Sequence, residues 1–157
     1  ICRDAKVDHM GFLAMEQYDD DITYRLVGAA SRFSGLAPEQ ILGAFGEFFI
    51  LYTSQQGYGQ LMAATGGNLP EFLENLDNLH SRVSSTFTEL VPPSFRVERI
   101  EPGLMRLHYY SHRTGLAPLV IGLLKGLGAK FECRVDVSLE KSRDQGHDHE
   151  VFLVRHG

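Results

Sequence analysis

One histidine and one polar triplet carry most of the chemistry available to this sequence. His80 lies in a run whose apolar residues recur every three or four positions, which predicts a helix that turns the imidazole inward. Further along, Tyr109, Ser111 and Arg113 occupy alternate positions of a stretch typical of a strand, so the three side chains would point the same way. An interior imidazole and an anion-sized polar cluster together indicate a buried, acidic, metal-containing ligand.

Neither feature is specific alone, because a histidine on an apolar helix face is more often a core residue, and three such polar residues are more often one face of an ordinary strand. If His80 does bind a ligand, haem is the natural choice, since one axial imidazole commonly holds haem iron and the porphyrin supplies the other nitrogens. Arg113 would then offer a planar fork to the haem carboxylates, and the hydroxyls of Tyr109 and Ser111 would add donors.

Composition limits the function classes. With 157 residues, 43% of them hydrophobic, the chain can bury one core and falls in the size range of a single domain. Its net charge of -5 argues against nucleic acid or anionic lipid as a partner, and its apolar stretches are too short or interrupted to span a membrane. Cys2 and Cys133 lack any ligand spacing, and no secretory signal opens the chain, so we expect a cytoplasmic location.

The first half of the chain is predicted to be helical. Caps and breakers indicate a helix that begins at 19–21 and stops near 34–35, a second from 38–39 to 55–57, a short one around 61–64, and a fourth, carrying His80, that begins at 68–71. The second helix is dense in aromatic residues, which predicts a deeply buried wall; these are Phe45, Phe48, Phe49 and Tyr52.

The second half changes architecture at Pro92 and Pro93, because paired prolines stop a helix. Hydrophobic alternation predicts a strand from 95 into a hairpin at 101–103, a return strand over 104–112, a helix over 116–131 and a closing hairpin of 133–142 with 151–156. We therefore predict an α+β fold in which a four-stranded antiparallel sheet with an inserted helix packs on the helical half. Residues 1–157 would form one domain, with subdomains 1–90 and 91–157 and a binding cleft between them.

These residues resemble a known family. The segments 71–80, 92–95 and 107–113, followed by Gly115 and Gly122, are similar to the H-NOX domain, the haem nitric oxide/oxygen-binding sensor found in bacteria and in soluble guanylate cyclase, and most similar to bacterial NO-responsive members. The resemblance implies haem b between the two subdomains, with His80 as the proximal iron ligand and Tyr109, Ser111 and Arg113 on the propionates. It also implies that Pro93 presses on the porphyrin as a stiff wedge.

Ligand selectivity follows from a missing donor. The oxygen-binding members resemble one another in placing a tyrosine where this chain has Leu119, and Phe49 matches another distal position without a donor. Bound dioxygen gains from a hydrogen bond, whereas NO binds ferrous iron strongly without one. The resemblance therefore implies NO as the ligand, with CO as a weaker surrogate, although Leu119 and Phe49 would look the same as ordinary core residues.

The resemblance also implies a mechanism, in which NO binding opposite His80 weakens the iron–imidazole bond and frees the helix. The signal would pass to a histidine kinase or a cyclic-nucleotide enzyme (guanylate or diguanylate), because no G-x-S-x-G elbow or glycine-rich phosphate loop predicts an enzyme here. The alternative is a haem-poor or haem-free regulatory interaction module of the same fold.

In the family a helix that caps the distal face precedes the position of Ile1, so we expect either a missing natural N-terminus or a short variant with exposed haem.

The remaining histidines are interpreted as residues without a ligand role. His147 and His149 have a spacing that could chelate a metal, but they follow a turn-rich connection typical of a solvated loop. His108 and His112 fall on the face opposite Tyr109 and are predicted to lie at the surface.

Overall fold

The described residues, 1–7, 18–55 and 58–157 of this computed structural model, form five α-helices, four strands and a short 3-10 helix. The helices and strands are α1 Asp20–Ser34, α2 Pro38–Gln55, α3 Gly59–Thr65, α4 Leu69–Thr86, β1 Ser94–Glu101, β2 Leu104–Tyr110, α5 Ala117–Lys130, β3 Val135–Lys141 and β4 Glu150–His156, with the 3-10 helix at Arg143–Gln145. The helical first half and the later antiparallel sheet confirm the predicted α+β class.

The helix boundaries follow the capping residues read from the sequence. Asp19 accepts a hydrogen bond from the Asp21 N–H at the start of α1, and Gly35 ends that helix in the left-handed conformation. Asn68 Oδ1 accepts the Glu71 N–H at 3.0 Å, which fixes the start of α4. The helix that carries His80 therefore begins where its N-cap predicts, and its inward face is decided locally.

The sheet places the two predicted hairpins side by side in the order β1-β2-β4-β3, with every neighbouring pair antiparallel. Its inner face packs on α4 and α5, and the buried side chains there include Leu69, Phe72 and Leu73 of α4, Met105, Leu107 and Tyr109 of β2, Leu124 and Leu127 of α5, and Phe152 and Val154 of β4. The contact between β2 and β4 joins residues more than 40 positions apart, so hairpin signals alone do not predict it. None of the described helices is both long and apolar enough to cross a membrane.

The α2 and α5 helices meet through glycines. A Cβ at Gly122 would lie 2.0 Å from the Gly43 carbonyl oxygen, and one at Gly46 would lie 2.4 Å from the Leu119 carbonyl oxygen. The two backbones therefore approach more closely than side chains would permit.

This crossing corrects the prediction of a deeply buried aromatic wall. The α2 helix turns Leu42, Gly46 and Ile50 inward, so its rings fall on other faces and are between 45% and 59% exposed; these are Phe45, Phe48, Phe49 and Tyr52. The prediction was wrong because the glycine positions, and not the largest side chains, decide which face of α2 packs on α5.

Candidate functional site

His80 is oriented by the first residues after the helical half. Its Nδ1 lies 3.1 Å from the Pro93 carbonyl oxygen, and because a carbonyl only accepts, Nδ1 must carry the proton. The lone pair is then on Nε2. Burial lowers the pKa of His80, against the opposing effects of the Pro93 carbonyl and of Asp77, so the ring is neutral at neutral pH. A neutral imidazole with one N–H on a backbone carbonyl is the form in which histidine commonly binds a metal.

Asp77 ties this end of α4 to the start of β1. Its Oδ1 accepts the Ser94 hydroxyl and the Phe95 N–H, both at 2.9 Å. The ring of Phe95 then contacts His80 on one side, with 5.5 Å between centroids, and Tyr109 on the other, with 5.4 Å. The structure thus brings His80, Pro93 and Tyr109 into one cluster. The sequence prediction did not include Asp77 among the site residues. The available signal was an acidic residue one helical turn before His80.

Tyr109 points into the core from the end of β2 and is 4% exposed. Burial raises the pKa of its phenol, and a hydrogen bond with Ser111 opposes that shift. The predicted strand over 104–112 was wrong at its end, because β2 stops at Tyr110. Ser111 and Arg113 instead form a tight turn in which Ser111 Oγ accepts the Arg113 N–H at 3.1 Å. The three residues are neighbours, but strand alternation does not orient them.

Arg113 faces α1. Its Nη2 donates to Thr23 Oγ1 at 2.9 Å, and its Nε lies 2.8 Å from Asp20 Oδ1, with the Nε–H not aligned for a hydrogen bond. Next to it the Tyr24 hydroxyl donates to the Thr114 carbonyl at 2.8 Å. Because guanidinium has five N–H donors, Arg113 keeps donors for a second carboxylate beside Asp20. The contact with α1 was missed, since nothing local in the sequence pairs positions 20 and 113.

Arg143 holds the turn that carries Ser111 and Arg113. It donates to the Ser111 carbonyl at 2.7 Å, to the Arg113 carbonyl at 2.6 Å, and through Nε to both carboxylate oxygens of Glu150 at 2.9 and 3.0 Å. Glu150 is 5% exposed and lies directly opposite Tyr109 in the sheet register. An ion pair with a buried carboxylate therefore positions the polar triplet. The sequence gave no signal for this pair, because both residues are ordinary charges near a turn.

Phe49 and Leu119 are the two residues that the family resemblance implies on the distal side. They lie on α2 and α5, the helices that cross at Gly46. Phe49 is 45% exposed with its ring 6.1 Å from that of Phe45, and Leu119 is half-buried. Neither side chain can donate a hydrogen bond.

Two of the remaining histidines correct the sequence predictions. His108 and His149 are partly buried, since their side chains are only 17% and 15% exposed, and His108 Nδ1 lies 2.8 Å from His149 Nε2. The sequence paired His149 with His147 by spacing, but His147 is exposed. His112 is exposed as predicted. The pairing of β2 with β4 brings positions 108 and 149 together, and local spacing carries no signal of that contact.

The donor set fits a haem. It offers one neutral imidazole with Nε2 available, hydroxyl and guanidinium donors for carboxylates, and half-exposed aromatic rings on α2 that a flat apolar group could cover.

Comparison with known proteins agrees with this chemistry. A profile of the family described as Haem-NO-binding matches residues 1–139. The chain is 41% identical over 122 residues to guanylate cyclase soluble subunit beta-2 of Rattus norvegicus, covering 74% of the chain and 18% of that protein. It is 34% identical over 145 residues to soluble guanylate cyclase gcy-35 of Caenorhabditis elegans, covering 87% of the chain and 21% of that protein. The chain thus spans about a fifth of the length of these relatives.

Solved structures share the fold. The H-NOX protein from S. oneidensis in the Fe(II)NO ligation state superposes with a TM-score of 0.84 at 16% identity, covering 95% of this chain and 82% of that one. The unliganded Fe(II) H-NOX protein from K. algicida superposes with a TM-score of 0.80 at 20% identity, covering 94% and 78%. At these identities the likeness concerns the architecture.

Proposed function

The chain belongs to the Haem-NO-binding (H-NOX) family, and from that premise we propose that it is a haem b-based sensor of nitric oxide that also binds CO. Domains of this family bind haem and act as sensors rather than catalysts, in agreement with the sequence prediction that this chain is not an enzyme. The observation that carries the proposal is the hydrogen bond between His80 Nδ1 and the Pro93 carbonyl, which leaves Nε2 for iron.

The proposed roles follow the geometry. His80 would be the iron ligand, and Tyr109, Ser111 and Arg113 would hold the haem carboxylates. When bound, haem would supply an iron atom able to take a diatomic gas, with His80 as its protein ligand. Pro93 would have two roles, since its carbonyl orients His80 and its rigid ring would press on the porphyrin, as the sequence motif implies.

Selectivity for NO over dioxygen is proposed from the apolar residues of α2 and α5. Phe49 and Leu119 have no hydrogen-bond donor, and a ligand polarised toward superoxide needs one more than NO does. An apolar distal wall would therefore favour NO over dioxygen, because it offers no hydrogen bond to the bound gas.

We propose that gas binding releases His80 and that the release moves α4. The helix is tied to β1 by Asp77 and by the ion pair between Glu74 and Arg99, so a shift of His80 would reach the start of the sheet. The two halves 1–90 and 91–157 would then act as subdomains of one domain that reorient at Pro92–Pro93. A bistable junction of this kind turns ligand binding into a change of shape.

The receiver of the signal is proposed to be a partner protein or domain. The curated relatives are named as guanylate cyclases, so a cyclic-nucleotide enzyme (guanylate or diguanylate) is one class, and a histidine kinase is the other. Cytoplasm is the proposed location, since Cys2 and Cys133 are both free thiols.

Optical absorption tests the proposal. Purified chain supplied with haem should show a Soret band that His80→Gly removes and added imidazole restores, because a free imidazole can occupy the cavity left by the side chain. His147→Gly is the matched control, since that histidine is exposed and outside the cluster, and it should leave the band unchanged.

The same preparation distinguishes the alternative function. A chain that takes up no haem even when supplied would be a haem-free interaction module. In the ferrous form, addition of NO should yield a complex that has lost the histidine bond, and a six-coordinate nitrosyl complex that keeps it would refute the release of His80.

A further inference from the structure

A second histidine pair lies on the face of the sheet opposite Tyr109. His108 points outward from β2, and His149 directly precedes β4, so the antiparallel pairing of the two strands brings the rings together. Their facing nitrogens, His108 Nδ1 and His149 Nε2, are 2.8 Å apart. The ring of Tyr110 stacks on His149 with 4.2 Å between centroids, which limits how that imidazole can rotate.

Each imidazole has a carboxylate behind its other nitrogen. His149 Nδ1 lies 2.7 Å from Asp148 Oδ1, within hydrogen-bond distance. His108 Nε2 lies 3.7 Å from Glu98 Oε2, and this nitrogen is buried without a hydrogen-bond partner. Histidines that bind metals commonly donate their second N–H to a carboxylate in this way, which orients the ring and raises its basicity.

The proton positions of the neutral pair explain the unpartnered nitrogen. Asp148 only accepts, so His149 carries its proton on Nδ1 and presents a lone pair at Nε2. His108 must then donate from Nδ1, which leaves the lone pair of its Nε2 facing the Glu98 carboxylate. Two electron-rich groups face each other there, and a buried polar nitrogen without a partner is uncommon in folded proteins.

We propose that His108 Nδ1 and His149 Nε2 bind a divalent transition-metal ion of the zinc type, with water completing its coordination. On binding, the proton of His108 moves from Nδ1 to Nε2, where it points toward Glu98, and the two neutral rings release no net proton. Both lone pairs then face the metal and both N–H groups face carboxylates. Imidazole nitrogen is a ligand that zinc, copper and nickel ions accept.

The geometry requires a small adjustment. Two zinc–nitrogen bonds of about 2.0–2.1 Å at a tetrahedral angle place the nitrogens about 3.3 Å apart, so the rings must separate by about half an ångström. His149 lies outside β4, which starts at Glu150, and is therefore free of the strand register. Within the described residues no cluster of three or more His, Cys, Asp or Glu side chains could hold a metal, so the site has two protein ligands and is expected to bind reversibly.

Isothermal titration of the whole chain, prepared without an affinity tag, with Zn²⁺ tests the proposal. One saturable site is expected, and His108→Ala and His149→Ala should each abolish it, whereas His147→Ala should retain it. Asp148→Asn should weaken binding about tenfold, because the carboxylate that orients His149 is lost while the ligand remains. The site needs no haem, so the result of the Zn²⁺ titration does not depend on whether the gas-sensor proposal holds.

The proposal is overturned if Zn²⁺ fails to bind saturably, if binding survives the loss of both imidazoles, or if it depends on His147. Because His108→Ala alters a strand, His149→Gln outside the strand provides the second test, with circular dichroism to confirm that each variant is folded. Cu²⁺ electron paramagnetic resonance should show coupling to two nitrogens, and coupling to none would also contradict the site.

Discussion

The two sides of the candidate haem site are held by different forces. The proximal region, formed by α4, β1 and the turn 111–113, depends on polar contacts: Pro93 orients His80, Asp77 joins α4 to β1, and Arg143 holds the turn. The distal region, where α2 crosses α5, depends on close backbone contact at glycines and presents apolar side chains. Directional hydrogen bonds suit a region that must position atoms, and a glycine contact suits one that only has to exclude donors.

This contrast has a consequence for signalling. In the proximal region, a displaced group leaves partners unsatisfied, so a shift of His80 affects Pro93 and the groups around it. In the distal region, the side chains of Phe49 and Leu119 have no hydrogen-bonding group that a bound gas could displace from a partner. A signal that begins at the gas is therefore expected to pass through the proximal region.

The largest effect is expected from breaking the ion pair of Arg143 with the buried Glu150 in the proximal region. Arg143→Met leaves Glu150 charged, buried and unpaired, and should lower the free energy of unfolding by about 3–5 kcal/mol. Urea denaturation measures this change in the free energy of unfolding. The double variant Arg143→Met/Glu150→Met should recover only the part of the loss that comes from the unpaired carboxylate, because the hydrogen bonds from Arg143 to the Ser111 and Arg113 carbonyls are absent in both variants. A single variant as stable as the parent would show that the turn 111–113 is held by other contacts.

In the distal region, overpacking is the corresponding test. Gly122→Ala places a Cβ 2.0 Å from the Gly43 carbonyl oxygen and should destabilise the chain by about 1–3 kcal/mol. Gly43→Ala is the matched control, since its Cβ would meet only the Pro118 carbonyl oxygen, at an ordinary 3.7 Å, and alanine favours a helix by up to about 1 kcal/mol. Equal unfolding midpoints for the two variants would contradict close backbone contact at this crossing.

Adding a hydrogen-bond donor to the distal region should make it more like the polar proximal region. Leu119→Tyr introduces a hydroxyl, and a hydrogen bond of about 1 kcal/mol to bound dioxygen should strengthen its binding about fivefold relative to the parent. Absorption spectra of the ferrous protein under dioxygen measure this. Leu119→Phe adds a ring without the hydroxyl and should not stabilise an oxygen complex. A stable oxygen complex of the unmodified chain would refute the role given to Leu119.

The smallest effect concerns the protonation of His80. Its folded pKa lies below the ordinary 6.5, because burial disfavours the charged ring, so the unfolded chain takes up the proton first as the pH falls. Stability is therefore fully present above pH 6.5 and decreases as the pH falls from 6.5 to the lowered folded pKa. The free energy of unfolding, measured by urea denaturation across this pH window, should depend less on pH in His80→Phe than in the parent. His147→Ala should behave as the parent. An unchanged slope in His80→Phe would contradict the effect of burial.

Much of the proximal region could be predicted from the sequence. The N-cap at Asn68 and the apolar period around His80 place that ring on an inward face, and Pro92–Pro93 mark the change from helix to sheet. These signals are local, since a cap or a helical period involves residues within a few positions of each other. The motif resemblance added the family, which the profile match over residues 1–139 supports.

Contacts between distant positions were decided only by the tertiary structure. The sequence by itself determined the helix starts, the inward face of His80 and the four strands, because capping and periodicity are properties of short segments. The pairing of β2 with β4 decided that His108 meets His149 and that Glu150 lies opposite Tyr109. The glycine contact of α2 with α5 likewise decided that the aromatic rings of α2 face outward. Such contacts join residues whose spacing along the chain carries no periodic signal, so only the packed fold specifies them.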